Sequence, residues 1–132
     1  MKKIIALLFV VGKLFAVPPT TTVEFIKIDQ FGYKPNDEKI AVIANPITGY
    51  NNTTPFSPGS TYQVREWTTN NVVFTGSITP WNAGATQTQS GDKVWHFNFS
   101  SLTTPGFYYI FDVTNNVGSY KFEINNCVYN NV

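Results

Sequence analysis

Apolar and polar residues alternate along most of this chain with a period of two, in runs of five to eight residues broken by clusters of Gly, Pro, Asn and Thr. In KVWHFNFS, Trp95, Phe97 and Phe99 share one parity, while Val94, His96 and Asn98 share the other. Successive side chains of a strand point to opposite faces, so the first set reads as core-facing and the second, His96 included, as outward. GSYKFEI repeats the pattern, with Tyr120, Phe122 and Ile124 expected inward and Ser119, Lys121 and Glu123 outward. KIAVIAN is apolar on both parities and is expected at the centre of a sheet. The runs predict strands over 23–28, 39–45, 61–67, 72–76, 94–99, 107–113 and 118–124. Beyond the first sixteen residues there is no sustained helical period. About seven short strands with regularly spaced turns predict an all-β chain, an immunoglobulin-like antiparallel β-sandwich, with a jelly roll or closed barrel as open alternatives.

Residues 90–113 concentrate aromatic rings, and the strand phase predicts that most of them turn inward as core. Within them, Leu102, Gly106 and Tyr108 have the spacing of a tyrosine corner, in which a strand-opening tyrosine bonds back to backbone across the sandwich corner. That is a statement about fold rather than function.

The opening stretch MKKIIALLFVVGKLFA interrupts the strand pattern. Two lysines precede an apolar run too short for a bilayer, followed by Ala16, which predicts a signal peptide over 1–16 and a secreted protein, extracellular or periplasmic. Residues 17–22 read as a short linker and 23–126 as the sandwich. Without Lys2, Lys3 and Lys13, six basic residues face eight acidic ones, a formal charge near −2 that offers nothing to nucleic acid. No membrane contact is expected after cleavage. Cys127 is the single cysteine, so no internal disulfide supports the fold.

Candidate chemistry is sparse. No two of the eight carboxylates have a spacing that marks an acid and base pair. Asp37 and Glu38 fall in the loop KPNDEK between Lys34 and Lys39, and Asp92 falls in SGDK, both ordinary turn contexts. His96 is the only histidine, and neither a GxSxG elbow nor a phosphate loop occurs. No catalytic residue, metal site or cofactor is assigned. Trp81, in the loop TPWNAG with no strand to bury it, is the candidate for sugar contact. Asn51, Asn52 and Asn98 lie in glycosylation sequons.

Two stretches carry a family likeness. IKIDQFGYKPNDEKIAVIANP supplies Asp29, Gln30, Phe31, Gly32, Tyr33, Pro35 and Lys39; SGDKVWHFNFSSLTTPGFYYIFDV supplies Ser90, Gly91, Asp92, Phe99, Ser100, Leu102, Pro105, Gly106 and Tyr108. Together they resemble the immunoglobulin-like domain that precedes the catalytic domain of family 9 glycoside hydrolases, with Asn98 standing where the family usually has aspartate. The resemblance implies a non-catalytic module that packs beside an (α/α)6 barrel acting on β-1,4-glucan, with residues 127–132 the start of a connection to that catalytic domain, which the chain lacks. The family's catalytic carboxylates lie downstream of the module, so none is assigned here. The implied partner is the catalytic domain of the parent cellulase, with cellulose or another β-glucan as a further candidate. Gln30, Phe31, Gly32 and Tyr33, an apolar aromatic loop, are the expected interdomain contact, the competing reading being that Phe31 and Tyr33 cover the module's own core. The alternative function is a stand-alone secreted carbohydrate-binding sandwich using Trp81 and outward tyrosines.

Overall fold

The computed structural model describes residues 21–130; the expected signal peptide over 1–16, most of the linker and the last two residues of the connection lie outside the described residues. Among the described residues there are nine strands: β1 (Ile26–Lys27), β2 (Ile40–Pro46), β3 (Thr61–Glu66), β4 (Val72–Ser77), β5 (Thr79–Pro80), β6 (Asp92–Asn98), β7 (Gly106–Asp112), β8 (Val117–Gly118) and β9 (Phe122–Ile124). They form two antiparallel sheets. One has the order β1-β2-β6-β5; the other runs β4-β3-β7-β8, with β9 also paired to β7. The apolar run IAVIAN sits inside the first sheet between β1 and β6, in seven-residue register with β6 from Ile40–Asn98 to Pro46–Asp92.

The period-two rows meet between the sheets. Ile26, Ala41, Ile43, Phe97 and Phe99 from one layer pack against Tyr62, Val64, Tyr108, Ile110, Phe122 and Ile124 from the other, with Trp95 and Leu102 partly buried against them. Each large apolar side chain so enclosed contributes about 1.5–3 kcal/mol, and with no disulfide this core carries the fold.

Three details depart from the sequence expectations. The 23–28 run narrows to β1, Ile26–Lys27, and a short strand that the pattern did not indicate, β5, closes the first sheet's edge. The 118–124 run breaks into β8 and β9, and at the break the alternation inverts: Ser119 is buried, and Tyr120 is 63% exposed. The cause is the Ser119 hydroxyl, which accepts from the Ile110 N–H (2.9 Å) and donates to the Tyr120 carbonyl (2.8 Å). Acting as a substitute for backbone, it must point inward, so the next ring points out. Third, the aromatic segment is divided. Phe97, Phe99 and Tyr108 are core and Trp95 packs on it, whereas β7 presents Phe107, Tyr109 and Phe111 to the outer face of the second sheet. Tyr109 and Phe111 are buried even there, because Trp67 packs edge-on to Tyr109 (5.9 Å) and the Arg65 guanidinium lies 3.8 Å from the Phe111 ring centre.

Tyr108 opens β7 with its hydroxyl donating to the Thr104 carbonyl at 3.0 Å, and a Cβ on Gly106 would stand 2.9 Å from that hydroxyl. Tyr108→Phe keeps the ring and removes only this bond, so chemical denaturation should show a loss of about 1 kcal/mol with an unchanged m-value.

Candidate functional site

The loop between β1 and β2 is built by local chemistry. The Asp29 carboxylate accepts the Phe31 N–H (2.9 Å), and the Gly32 N–H donates to the Asp29 carbonyl (3.1 Å), closing a tight turn. Gly32 sits at φ +96°, and a Cβ there would lie 2.4 Å from the Glu123 carbonyl oxygen. Only glycine meets both conditions.

The four expected contact residues divide. Tyr33 is turned into the module's own core, edge-on to Phe99 (5.2 Å) and Phe122 (5.5 Å). Its hydroxyl donates to the Ile40 carbonyl (3.2 Å) and accepts the Asp29 N–H (3.0 Å). Burial pushes its phenol up to about 12, the Asp29 N–H pulling weakly the other way. Gly32 is buried under the chain's later segment, while Gln30 is exposed and Phe31 leaves 58% of its surface to solvent.

That later segment, after β9, folds back over the loop. The Tyr33 N–H donates to the Glu123 carbonyl (2.9 Å), and the Asn125 N–H to the Tyr33 carbonyl (3.0 Å). The Tyr129 hydroxyl lies within bonding reach of the Gly32 carbonyl (3.2 Å) and the Asp29 carboxylate (3.3 Å), and the Lys34 ammonium is 5.4 Å from its ring centre. The latch therefore joins residues about 100 positions apart, and alternation carried no sign of it. It forms a hydrogen-bonded surface on which Phe31 and Tyr129 are both exposed.

Elsewhere, Trp81 starts a 3₁₀ turn, Trp81–Gly84, and is half-buried beside β6 rather than free of packing. Leu102 is half-buried on the core. His96 lies on the outer side of β6 between Val42 and Thr79. Among the described residues no three His, Cys, Asp or Glu side chains are placed to hold a metal ion.

Two buried charged residues were missed, and both were readable from strand parity. Lys39, taken from sequence as a flank of a turn, shares the parity of Ala41 and Ile43 and is fully buried. Its ammonium donates to the carbonyls of Pro35 (2.6 Å), Asp37 (2.9 Å) and Lys34 (3.3 Å), so it holds the loop after Tyr33 from within. Burial lowers its pKa, partly countered by Asp37. Asp112 shares the parity of Tyr108 and Ile110 and is likewise fully buried. It accepts from the Tyr62 hydroxyl (2.8 Å), the Gly59 N–H (2.9 Å), the Asn115 amide (2.8 Å) and the backbone N–H groups of Thr114 (3.0 Å) and Asn115 (3.1 Å).

The family described as the cellulase N-terminal ig-like domain matches residues 21–124. Among solved structures, a family 9 glycoside hydrolase of Bacteroides ovatus is 26% identical with a TM-score of 0.59, over 79% of this chain and 16% of that one. A metagenome-derived family 9 endoglucanase is 28% identical with a TM-score of 0.56, over 74% and 17%. An endoglucanase from Alicyclobacillus acidocaldarius, at 17% identity and a TM-score of 0.56 over 83% and 16%, shares the fold. The chain thus spans about a sixth of the length of these enzymes. A search of curated proteins gave no match.

Proposed function

The chain belongs to the family of cellulase N-terminal Ig-like domains, and from this we propose that it is the non-catalytic accessory module of a secreted family 9 endoglucanase, packing on and stabilising a downstream barrel that hydrolyses β-1,4-glucan. The carrying observation is the latch: residues 125–130 lie across the loop that exposes Phe31, with Tyr129 bonded to Gly32 and Asp29. The latch thus ties the end of the described chain to the loop that carries the exposed Phe31 ring. A barrel joined there is held at high effective concentration next to that ring, so a modest contact suffices to dock it. Interfaces between domains of one chain are typically about 600–1,500 Å², and an aromatic anchor at the centre contributes most of the binding.

In this reading Gln30 and Phe31 touch the barrel, Gly32 sets the turn, and Tyr33 holds the loop from below. Among the described residues no helix is long and apolar enough to cross a membrane. Secretion rests on the opening sequence.

The test is Phe31→Ala in the enzyme that carries this module ahead of its barrel. Calorimetry should show the barrel's transition falling by several degrees, whereas the isolated module's own transition stays within about 2 °C because Phe31 is largely exposed. An unchanged barrel transition removes the loop from the interface.

A further inference from the structure

The seam between the two sheets at the β1 edge is closed at both ends and open in the middle. At one end Val23 N–H donates to the Gly118 carbonyl (2.9 Å) and Gly118 N–H to the Thr21 carbonyl (3.0 Å); at the other, Tyr33 N–H donates to the Glu123 carbonyl. Between these closures, among the described residues, no backbone hydrogen bond crosses from 24–32 to 119–122. The Ser119 inversion creates the gap, because it swings Tyr120 away from the core and ends the pairing of β8 before β9 begins. A groove of about 620 Å³ results, lined by Glu24, Ile26, Lys27, Gln30, Tyr120 and Lys121.

We infer that this groove is a saccharide-binding site for a short β-glucan chain. Its chemistry matches a sugar on two counts. Tyr120 is an exposed flat ring on which the C–H face of a pyranose can stack. The polar lining supplies acceptors and donors together from Glu24, Gln30 and Lys27, which suits hydroxyls that both donate and accept, while the Lys121 ammonium lies over the Phe107 ring at 5.0 Å. Glu24 and Lys27 carry opposite charges, so neither sign dominates the lining, which favours a neutral ligand over a polyanion. The volume lies within the range of about 300–1,000 Å³ usual for small-ligand sites.

The choice of β-glucan rests on the endoglucanase reading; the groove itself does not. Docking failure would appear as an unchanged barrel transition in Phe31→Ala and would leave sugar binding in place.

The experiment is an NMR titration of the whole chain, labelled with ¹⁵N, with cellotetraose. Saturable shifts are expected at Ile26, Lys27, Tyr120 and Lys121. Tyr120→Ala should weaken binding about tenfold, the worth of one stacked ring, with an unchanged unfolding transition, while Trp81→Ala should bind as the parent does. No saturable shift up to tens of millimolar, or shifts that centre on the Trp81 turn and vanish in Trp81→Ala, would overturn the proposal.

Discussion

Asp112→Ala is expected to cost about 3–5 kcal/mol, a large part of the 5–15 kcal/mol that holds an ordinary domain together. The carboxylate is fully buried and is the shared acceptor for the Tyr62 hydroxyl, Gly59, Thr114 and Asn115. Alanine leaves the buried Tyr62 hydroxyl and Gly59 N–H with nothing to accept them, while Thr114 and Asn115 lie at the exposed end of the cluster. At about 4 °C per kcal/mol, the melting temperature should fall by roughly 15 °C.

The charge at this position carries a pH signature. Burial alone would raise the Asp112 pKa, but the bonds from Gly59, Asn115 and Tyr62 outweigh it and hold the group below its ordinary value of 3.8. The same arrangement raises the Tyr62 phenol, first through burial and then through its bond to the carboxylate. A carboxyl group with a folded pKa below its unfolded one stabilises the fold at every pH above the unfolded value. The contribution fades as pH falls from about 4 down through the folded value. Denaturation midpoints measured between pH 7 and 2 should therefore drop on the acid side in the parent. In Asp112→Asn, less stable at neutral pH, that limb should be flatter. An equal acid slope in both proteins would show that other carboxyl groups dominate it.

Lys39→Met is the second large effect, expected at about 2–4 kcal/mol. Methionine fills the volume of the buried stem but leaves the carbonyls of Pro35 and Asp37 without their donor and that of Lys34 with the Asp37 N–H alone. A lysine at a solvated turn would change stability by less than about 0.5 kcal/mol, so the measurement separates a buried ammonium from a surface one. Hydrogen exchange should report the same event locally: the Asp37 N–H, bonded to the Lys34 carbonyl at 3.3 Å, should lose protection. An effect within 0.5 kcal/mol would mean that water replaces the ammonium and that the loop supports itself.

Both residues show how far a period-two reading extends. Parity alone assigned Phe97, Phe99, Phe122 and Ile124 to the core, and the structure buries all four. The same parity points Lys39 and Asp112 inward. Ordinary expectation for charged residues sends them out, because a buried charge is tolerated only when several partners surround it. For Asp112 those partners come from another segment, since Gly59 and Tyr62 stand 53 and 50 positions before it, whereas Lys39 finds its acceptors within five residues. Of the loop between β1 and β2, sequence supplied the motif and its glycine, but not the division between the buried Tyr33 and the exposed Phe31.

By itself, the amino-acid sequence determined an all-β chain, most of its inward positions and its turns, since alternation and turn chemistry act over a few neighbouring residues. Tertiary structure alone decided that Ser119 displaces Tyr120, that Arg65 and Trp67 cover the outer rings of β7, and that Tyr129 closes over Gly32. Each of these depends on which distant segments come to lie side by side. The energy that selects them arises only after the sheets have paired, and no local pattern records it.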